Sequence, residues 1–140
     1  MTRLPVEVFV VVRRGQEYLV VHRSPHKGAY WHGIAGALEL GESAADAAAR
    51  EFAEETGLAA TPVELLDSVF RYSLDDEPER LPDFEPGTTE IVVHAFVVDV
   101  PAGWEPRLDH EHDDYLWCTR DEAIALLAWP EPREIMRSLP

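Results

Sequence analysis

The sequence predicts an α/β domain in which a mixed β-sheet is sandwiched between helices. Residues 6–12 and 88–100 form apolar runs, which are typical of strands buried on both faces. Residues 43–56 and 119–128 are capped amphipathic segments, which are typical of helices that cover a sheet. With 140 residues the chain is long enough to bury a core, so we expect a single domain over residues 1–140.

The remaining strands are predicted from shorter apolar segments. Residues 18–23 return along the first strand after a turn at residues 13–16, so the pair reads as a hairpin. Residues 31–38 form a short extended piece that passes through two glycines. The other predicted strands cover residues 63–72 and 115–118. The run at residues 88–100 is the clearest candidate for a central strand.

Two N-cap residues mark where the helices begin. Ser43 starts a helix that ends near Thr56, and Gly57 suits the left-handed position after it. Thr119 starts a second helix, and Glu122 three residues later completes a capping box.

Two segments late in the chain are predicted to be less regular. Trp129 and Pro130 are expected to end the second helix, and residues 131–139 to form a short helical tail. Residues 73–87 contain three prolines and six acidic residues, which predicts a long loop. That loop is either a lid over a site or an ordinary solvated loop.

The composition is strongly acidic. The chain has 27 acidic and 12 basic side chains, a net charge of −15, which argues against general nucleic-acid binding because such binding needs a basic face. No apolar run is long enough to span a membrane, and the first residues show no signal-peptide pattern. The single cysteine, Cys118, excludes an internal disulfide. We therefore expect a cytoplasmic protein without a membrane partner.

Carboxylates are concentrated on the first helix. Glu51, Glu54 and Glu55 fall at positions i, i+3 and i+4 and share one helical stripe. The neighbouring stripe, expected to face the sheet, contains Ala45, Ala48, Ala49, Phe52 and Thr56. Three carboxylates this close repel each other, and a hard divalent cation bound through oxygen relieves the repulsion. The spacing indicates either a Mg²⁺ or Mn²⁺ site or a solvated acidic helix face.

The stretch from residue 36 to residue 58 resembles the Nudix box, the family pattern G-x5-E-x7-R-E-U-x-E-E-x-G-U, in which U is a bulky apolar residue. Phe52 and Leu58 stand at the two U positions. The seven matching identities are Gly36, Glu42, Arg50, Glu51, Glu54, Glu55 and Gly57. This resemblance implies a Nudix-type α/β/α sandwich with a mixed sheet, and metal-dependent hydrolysis of a nucleoside diphosphate linked to another group.

The resemblance also implies roles for the residues of the box. Glu51 and Glu55 would be the principal ligands of Mg²⁺ or Mn²⁺, with Glu54 assisting and the backbone carbonyl near Gly36 as a further ligand. Arg50 would orient a carboxylate without touching substrate.

A second resemblance lies in residues 110–117, which are similar to the pattern E-H-x-x-Y-x-W. This pattern occurs in the Nudix branch of dATP pyrophosphohydrolases and dihydroneopterin triphosphate pyrophosphatase, where the matching glutamate lies at the metal site. Glu111 is therefore the candidate general base and a candidate metal ligand. The chain departs from the branch at His32, which replaces a glutamine, and at Ala35, which replaces a threonine.

Two features of the sequence each allow two interpretations of their role. Glu42 either supports catalysis or braces the turn before the helix. His110 and His112 resemble a transition-metal pair, but alternate residues point to opposite faces of an extended segment.

Substrate contacts are predicted outside the box. Arg23 and Lys27 precede it and are expected to meet phosphate groups. Trp31 either stacks on a base or packs in the core. Tyr72 resembles, slightly out of register, a tyrosine of dinucleoside polyphosphate hydrolases. Trp129 is expected to be a packing residue.

The first functional prediction is a Mg²⁺-dependent hydrolase that cleaves the pyrophosphate linkage of a nucleoside triphosphate or a similar nucleoside diphosphate derivative. The products would be a monophosphate and pyrophosphate. The alternatives are a dinucleoside polyphosphate or ADP-ribose hydrolase, and a Nudix domain that binds a nucleotide without cleaving it. Many members of the family are dimers, so a homodimer stays open.

Overall fold

The computed structural model describes residues 2–140, apart from the side chains of residues 66–68. Within that part of the chain, seven strands form one mixed sheet. The strands are β1 (Val6–Arg14), β2 (Glu17–Arg23), β3 (Trp31–His32), β4 (Ile34–Ala37), β5 (Val63–Ser73), β6 (Glu90–Asp99) and β7 (His112–Cys118). The strand order is β3-β2-β1-β6-β5, while β4 pairs with β1 and β7 pairs with β2. β1 and β6 are parallel, and the other pairs are antiparallel.

Helices cover both faces of the sheet. They are α1 (Ala44–Thr56), α2 (Arg120–Leu126) and α3 (Pro130–Ser138). Successive residues of β1 point to opposite faces, so Val8 and Val10 pack with Phe52 of α1, whereas Phe9 packs in the cluster that holds Ile135 of α3. The predicted α/β/α sandwich with a mixed sheet is confirmed, and β6 lies inside the sheet between β1 and β5.

The predicted helix caps are present. The Ser43 hydroxyl accepts a hydrogen bond from the N–H of Asp46, and Gly57 ends α1 with φ of +79°. Thr119 and Glu122 form the predicted capping box. α2 ends at Leu126, earlier than predicted, and Pro130 begins α3 as its first helical residue, where its missing N–H is tolerated.

The buried stripe of α1 is rotated from the predicted one. Ala47 is buried with Ala48 and Phe52, whereas Ala45 is exposed. This rotation brings Glu55 to the sheet side of the helix, where the sequence predicted only small and apolar groups. The three glutamates of the box therefore differ in environment: the side-chain exposure is 14% for Glu51, 57% for Glu54 and 2% for Glu55.

The acidic segment after β5 is an ordered loop, not an unstructured one. It contains two 3-10 turns, Leu74–Asp76 and Pro78–Asp83. Leu74 is fully buried and Phe84 is 3% exposed, so both residues anchor the loop to the core while most of its charged residues stay on the surface. None of the helices in residues 2–140 is both long enough and apolar enough to cross a membrane.

Candidate active site

The carboxylate of Glu51 on α1 lies directly against the backbone of Gly36 on β4. A Cβ at Gly36 would overlap both carboxylate oxygens of Glu51, so only glycine leaves room for this side chain. Gly36 is held in place by its pairing with Val8 of β1. The sheet therefore positions the first of the predicted metal ligands.

Arg50 joins the turn before α1 to the helix itself. Its guanidinium donates to both carboxylate oxygens of Glu42 at 2.8 and 2.9 Å, to Glu51 Oε1 at 2.9 Å and to the carbonyl of Ala37 at 3.0 Å. These bonds lower the pKa of Glu42, whereas burial raises the pKa of Glu51 against the effect of Arg50. Glu42 also accepts from the N–H of Glu39 at 3.0 Å, so it braces the turn, and the geometry of Arg50 is that of an orienting residue.

Glu55 is a buried carboxylate, with 1% of the residue exposed. Its Oε2 accepts a hydrogen bond from the N–H of Ala35 at 3.2 Å, while Oε1 finds no partner within the described residues. Burial, and then the negative charges of Glu51 and Asp109, raise the pKa of Glu55 well above its ordinary value. A carboxylate in this environment is tolerated only with a proton or a cation beside it.

Asp109, just before β7, and His112, the first residue of β7, converge on Glu55. His112 Nδ1 lies 2.9 Å from Asp109 Oδ1, and His112 Nε2 lies 3.7 Å from Glu55 Oε1. His112 is 4% exposed. One ligand atom from each of the three residues lies within 4.8 Å of the others. This set of two carboxylates and one imidazole, of which Glu55 and His112 are buried and Asp109 is half-buried, has the chemistry of a divalent-cation site.

The other two predicted ligands lie closer to solvent. Glu54 is mostly exposed and reaches Arg50 at 3.5 Å. Glu111 is 3.3 Å from Lys27 Nζ and 3.9 Å from Arg23, and its charge adds to the repulsion that raises the pKa of Glu55. The structure therefore brings Glu111 and both predicted phosphate-binding cations to the same end of the site as Glu55.

A cleft of about 630 Å³ opens beside this cluster, between the loop after β5 and the start of α3. Gly36, Ala35, Arg23 and His32 line the end of the cleft nearest the carboxylates. The other walls include Tyr30, Tyr72, Arg80 and Trp129. The predicted substrate residues Arg23 and Tyr72 thus face one shared space.

Tyr72 is tied into a charged network at the wall of the cleft. Its hydroxyl donates to Glu7 Oε1 at 2.6 Å and accepts from Arg80 at 2.9 Å. Glu7 Oε2 also accepts from Arg3 at 3.0 Å and from Arg80 at 3.3 Å. Burial and the charge of Glu7 raise the pKa of Tyr72, so the hydroxyl stays protonated and can donate.

Arg23 is the cation nearest the carboxylates within the cleft lining. Its side chain is 18% exposed, and its Nε lacks a hydrogen-bond partner in the described part of the chain. Burial and the positive charge of Arg23 lower the pKa of the neighbouring His32 to about 3. The Nε atom itself is buried, so it is the exposed part of the Arg23 guanidinium that offers positive charge to an anionic group in the cleft.

The structure places Trp31 in the core, one of its two predicted positions, and places Trp129 at the cleft, where it was not predicted. Trp31 is not among the residues that line the cleft; its ring lies edge-on to His22 at 5.0 Å and packs against the core, which favours the core alternative. Trp129, predicted to be a packing residue, is 41% exposed and lines the cleft with its ring edge-on to Tyr30 at 5.7 Å.

Asp109 was not predicted to be a site residue, and His112 was predicted only as one member of a transition-metal pair with His110. The structure separates the two histidines, because His110 is exposed and stacks with His26 at 6.4 Å while His112 is buried. The sequence does contain one indication that His112 belongs to the site. The pattern E-H-x-x-Y-x-W that led to Glu111 also contains His112 as its second residue.

The family model of the NUDIX domain matches residues 3–139. The octanoyltransferase of Myxococcus xanthus is 39% identical over 134 residues, which is 94% of this chain and 35% of that protein. The NAD-capped RNA hydrolase NudC of Pasteurella multocida is 41% identical over 51 residues, covering 36% of this chain and 19% of that protein. The phosphatase NudJ of Escherichia coli is 44% identical over 57 residues, covering 41% and 37%. The chain thus spans about a third or less of the lengths of the first two relatives.

Solved structures share the fold. The dihydroneopterin triphosphate pyrophosphohydrolase of E. coli superimposes with a TM-score of 0.83 at 22% identity, over 99% of this chain and 97% of that one. The binary complex of a C. elegans Ap4A hydrolase gives a TM-score of 0.69 at 22% identity, over 94% and 92%. At these identities the likeness shows the fold alone, while the domain match extends over nearly the whole chain. The chain therefore belongs to the NUDIX family, as the box at residues 36–58 predicted.

Proposed function

We propose that this chain is a divalent-metal-dependent pyrophosphohydrolase that cleaves the pyrophosphate linkage of a nucleoside triphosphate or a similar nucleoside diphosphate derivative. From a triphosphate cleaved between its α and β phosphates, the products would be a monophosphate and pyrophosphate. The observation that supports this proposal best is the position of the buried Glu55 carboxylate. It lies beside Glu51 and close to a cleft that is lined by the cationic side chain of Arg23.

The residues present fit a divalent cation. Glu55 has one buried oxygen without a hydrogen-bond partner among the described residues, and His112 has one such ring nitrogen. Glu51, Glu55 and Glu111 would hold Mg²⁺ or Mn²⁺, with Glu54 as a ligand from the exposed side and the carbonyl near Gly36 as a further one. A cation bound here would neutralise phosphate oxygens and lower the pKa of water.

Other side chains near the metal ligands would assist that reaction. Arg50 fixes the rotamer of Glu51 through the 2.9 Å bond, so one ligand is oriented before substrate arrives. Arg23 and Lys27 offer positive charge to the phosphates. The Glu111 carboxylate, which lies 3.3 Å from Lys27 Nζ and 3.9 Å from Arg23, is the candidate acceptor for the proton of the attacking water.

The far part of the cleft suits the organic part of the substrate. Tyr30 and Trp129 present aromatic surface, and Trp129 is exposed enough to stack on a base. Tyr72 and Arg80 supply polar groups on another wall. The cleft volume is within the range of small-molecule sites, which extends from roughly 300 to 1,000 Å³.

The test is the hydrolysis of a panel of nucleoside triphosphates, dinucleoside polyphosphates and ADP-ribose, with and without Mg²⁺ or Mn²⁺, with the products separated by chromatography. A triphosphate should give a monophosphate and pyrophosphate, a dinucleoside polyphosphate should give two nucleotides, and ADP-ribose should give AMP and ribose 5-phosphate. Glu51→Gln and Glu55→Gln should each lose most of the activity, while Glu134→Gln, an exposed glutamate of α3, should retain it. Full activity in both site variants would refute the proposal. Tight nucleotide binding by the wild-type chain without turnover would instead support the sensing alternative.

A further inference from the structure

Two hydrogen-bond acceptors face each other in the buried contact between Glu55 and His112. Asp109 Oδ1 accepts from the N–H of Glu111 at 3.1 Å and lies 2.9 Å from His112 Nδ1. An ionised carboxylate is an acceptor only, so Nδ1 of His112 must donate to it. In the neutral ring, Nε2 then carries a lone pair, and it points toward Glu55 Oε1.

The separation of these two atoms is longer than a hydrogen bond and is compatible with a cation bound between them. Nε2 and Oε1 are 3.7 Å apart, and both lack a hydrogen-bond partner in the part of the chain that the structure describes. A nitrogen–oxygen hydrogen bond spans about 2.7–3.2 Å, so a shared proton does not account for this distance. Two ligand atoms that each bind one metal ion at about 2.1 Å can lie up to about 4.2 Å apart, so the observed distance leaves room for a shared cation.

The burial of both side chains also suits a bound cation. His112 is 4% exposed and Glu55 is 1% exposed, so water reaches neither side chain freely. Asp109 fixes the ring from behind, which is the usual carboxylate–histidine–metal arrangement. Leaving two buried acceptors opposed would destabilise the fold, and a bound cation removes that penalty.

We propose that Glu55 and His112 bind one divalent cation through an oxygen and a nitrogen, with Asp109 as the positioning residue, so that the site takes Mn²⁺ or Co²⁺ in preference to Mg²⁺. This inference rests on the proposed function in one respect, since both use Glu55 as a metal ligand. It adds a ligand outside the box and reverses the metal preference that the sequence predicted.

The reason for the preference is the nitrogen ligand. Mg²⁺ takes oxygen ligands and keeps much of its water, whereas imidazole suits the first-row transition metals. Affinity for a given nitrogen–oxygen site rises from Mn²⁺ to Co²⁺ along the divalent series. The expected order of affinity is therefore Co²⁺, then Mn²⁺, then Mg²⁺.

The first test uses Mn²⁺ alone with the full chain and no substrate. Electron paramagnetic resonance measures binding as loss of the free Mn²⁺ signal, and pulsed measurements of the bound ion detect a nitrogen nucleus in its coordination shell. We expect nitrogen modulation from the wild-type chain, and a changed modulation frequency after heavy-nitrogen labelling of histidine. Bound Mn²⁺ without nitrogen modulation would overturn the inference, and this result needs no variant to fold.

The second test compares variants by the same titration. His112→Asn should weaken Mn²⁺ binding by about tenfold or more and abolish the nitrogen modulation, and Asp109→Asn should weaken binding by about tenfold. His110→Asn removes an exposed histidine two positions away and should bind Mn²⁺ as the wild-type chain does. Circular dichroism of each variant establishes that it is folded.

The outcomes separate this inference from the proposed function. Unchanged Mn²⁺ affinity in folded His112→Asn, with turnover intact in the wild-type chain, would refute the nitrogen ligand and leave the hydrolase standing. Nitrogen modulation in a wild-type chain that hydrolyses no substrate of the panel would support the metal site and refute the hydrolase. Equal affinity of the wild-type chain for Mg²⁺ and Mn²⁺ would refute the preference.

Discussion

Glu51 and Gly36 are in such close contact that the carboxylate fills the space where a Cβ of residue 36 would stand. Gly36 lies in the ladder between β4 and β1, and Glu51 lies on α1, so this contact joins the helix to the sheet at the site. The glycine of the box is thus required by its neighbour, since its backbone has no positive φ that would call for glycine.

Gly36→Ala should therefore displace the Glu51 carboxylate. We expect loss of most of the hydrolytic activity and a decrease of about 1 kcal/mol in the free energy of unfolding, because the added methyl group moves the flexible end of Glu51 away from its bond with Arg50. Urea denaturation and the pyrophosphate assay measure the two effects. Gly15→Ala is the control: it places alanine at φ of +61° in the β1–β2 turn, with nothing near its Cβ. It should lower stability by about 1 kcal/mol without changing activity, and an active Gly36→Ala chain would contradict the prediction.

Arg50→Gln should destabilise the protein as well as the site. The change removes four close donor contacts and leaves the carboxylates of Glu42 and Glu51, each 14% exposed, without their cation. We expect a decrease of about 1–3 kcal/mol in the free energy of unfolding. The matched control is Arg137→Gln, whose pair with Glu134 is exposed on both sides and should contribute less than about 1 kcal/mol. Equal effects of the two changes would show that the Arg50 bonds do not stabilise the fold.

Trp129 should contribute to substrate affinity, and Trp31 should not. Stacking on a base is worth about 1–3 kcal/mol, so Trp129→Ala should raise KM by about fivefold to 150-fold with a smaller change in kcat. Trp31→Phe should change stability more than KM, because that ring packs against the core. Steady-state kinetics with the best substrate of the panel distinguish the two. A large increase in KM for Trp31→Phe alone would restore the base-stacking role that the sequence left open for Trp31.

His32 should make the fold less stable in acid. Its pKa is about 3 in the folded chain against an ordinary value of 6.5, so the unfolded chain binds more protons between these pH values. The contribution of His32 is present above pH 6.5 and is lost as the pH falls toward 3, by up to about 1.4 kcal/mol per pH unit. Urea denaturation of the wild-type chain and of His32→Gln across this range should show the variant gaining relative stability in acid. Parallel curves would contradict the lowered pKa, and His26→Gln, at an exposed position, serves as the control.

Cys118 should react slowly in the native state. The residue is 7% exposed, and burial raises the pKa of its thiol to about 11, so little thiolate forms at neutral pH. A thiol-alkylating reagent should label the folded chain slowly and the chain in urea at the rate of an ordinary cysteine. Mass spectrometry of timed samples measures both rates, and equal rates would show that the thiol is accessible in the folded state.

The regular elements were predictable because their signals are local. The apolar run of β1 and the caps at Ser43 and Thr119 depend on residues close in sequence, and the structure shows each of them as expected. The order in the segment after β5 was not predictable from its prolines and acidic residues. Its anchors, Leu74 and Phe84, are single apolar residues whose burial depends on the rest of the fold.

The candidate site was also predictable only where its signals are local in sequence. The box residues were recognisable from fixed spacing, but the burial of Glu55 depends on how α1 is rotated against the sheet, and the alanine-rich helix offered two nearly equivalent faces. Asp109 and His112 meet Glu55 only because β7 pairs with β2 and brings the preceding loop over the helix. Such convergence of distant segments has no periodicity along the chain. The Trp129 position likewise depends on where α3 begins.

The parallel pairing of β1 with β6 has a consequence for biosynthesis. Arg13 and Asp99, partners in this ladder, are 86 positions apart, so β1 leaves the ribosome long before its partner exists. Until then its valine-rich run keeps an open hydrogen-bonding edge, which is a template for association with other chains. Nascent chains halted before Glu90 should therefore depend on chaperones, and C-terminally truncated products should accumulate as insoluble material.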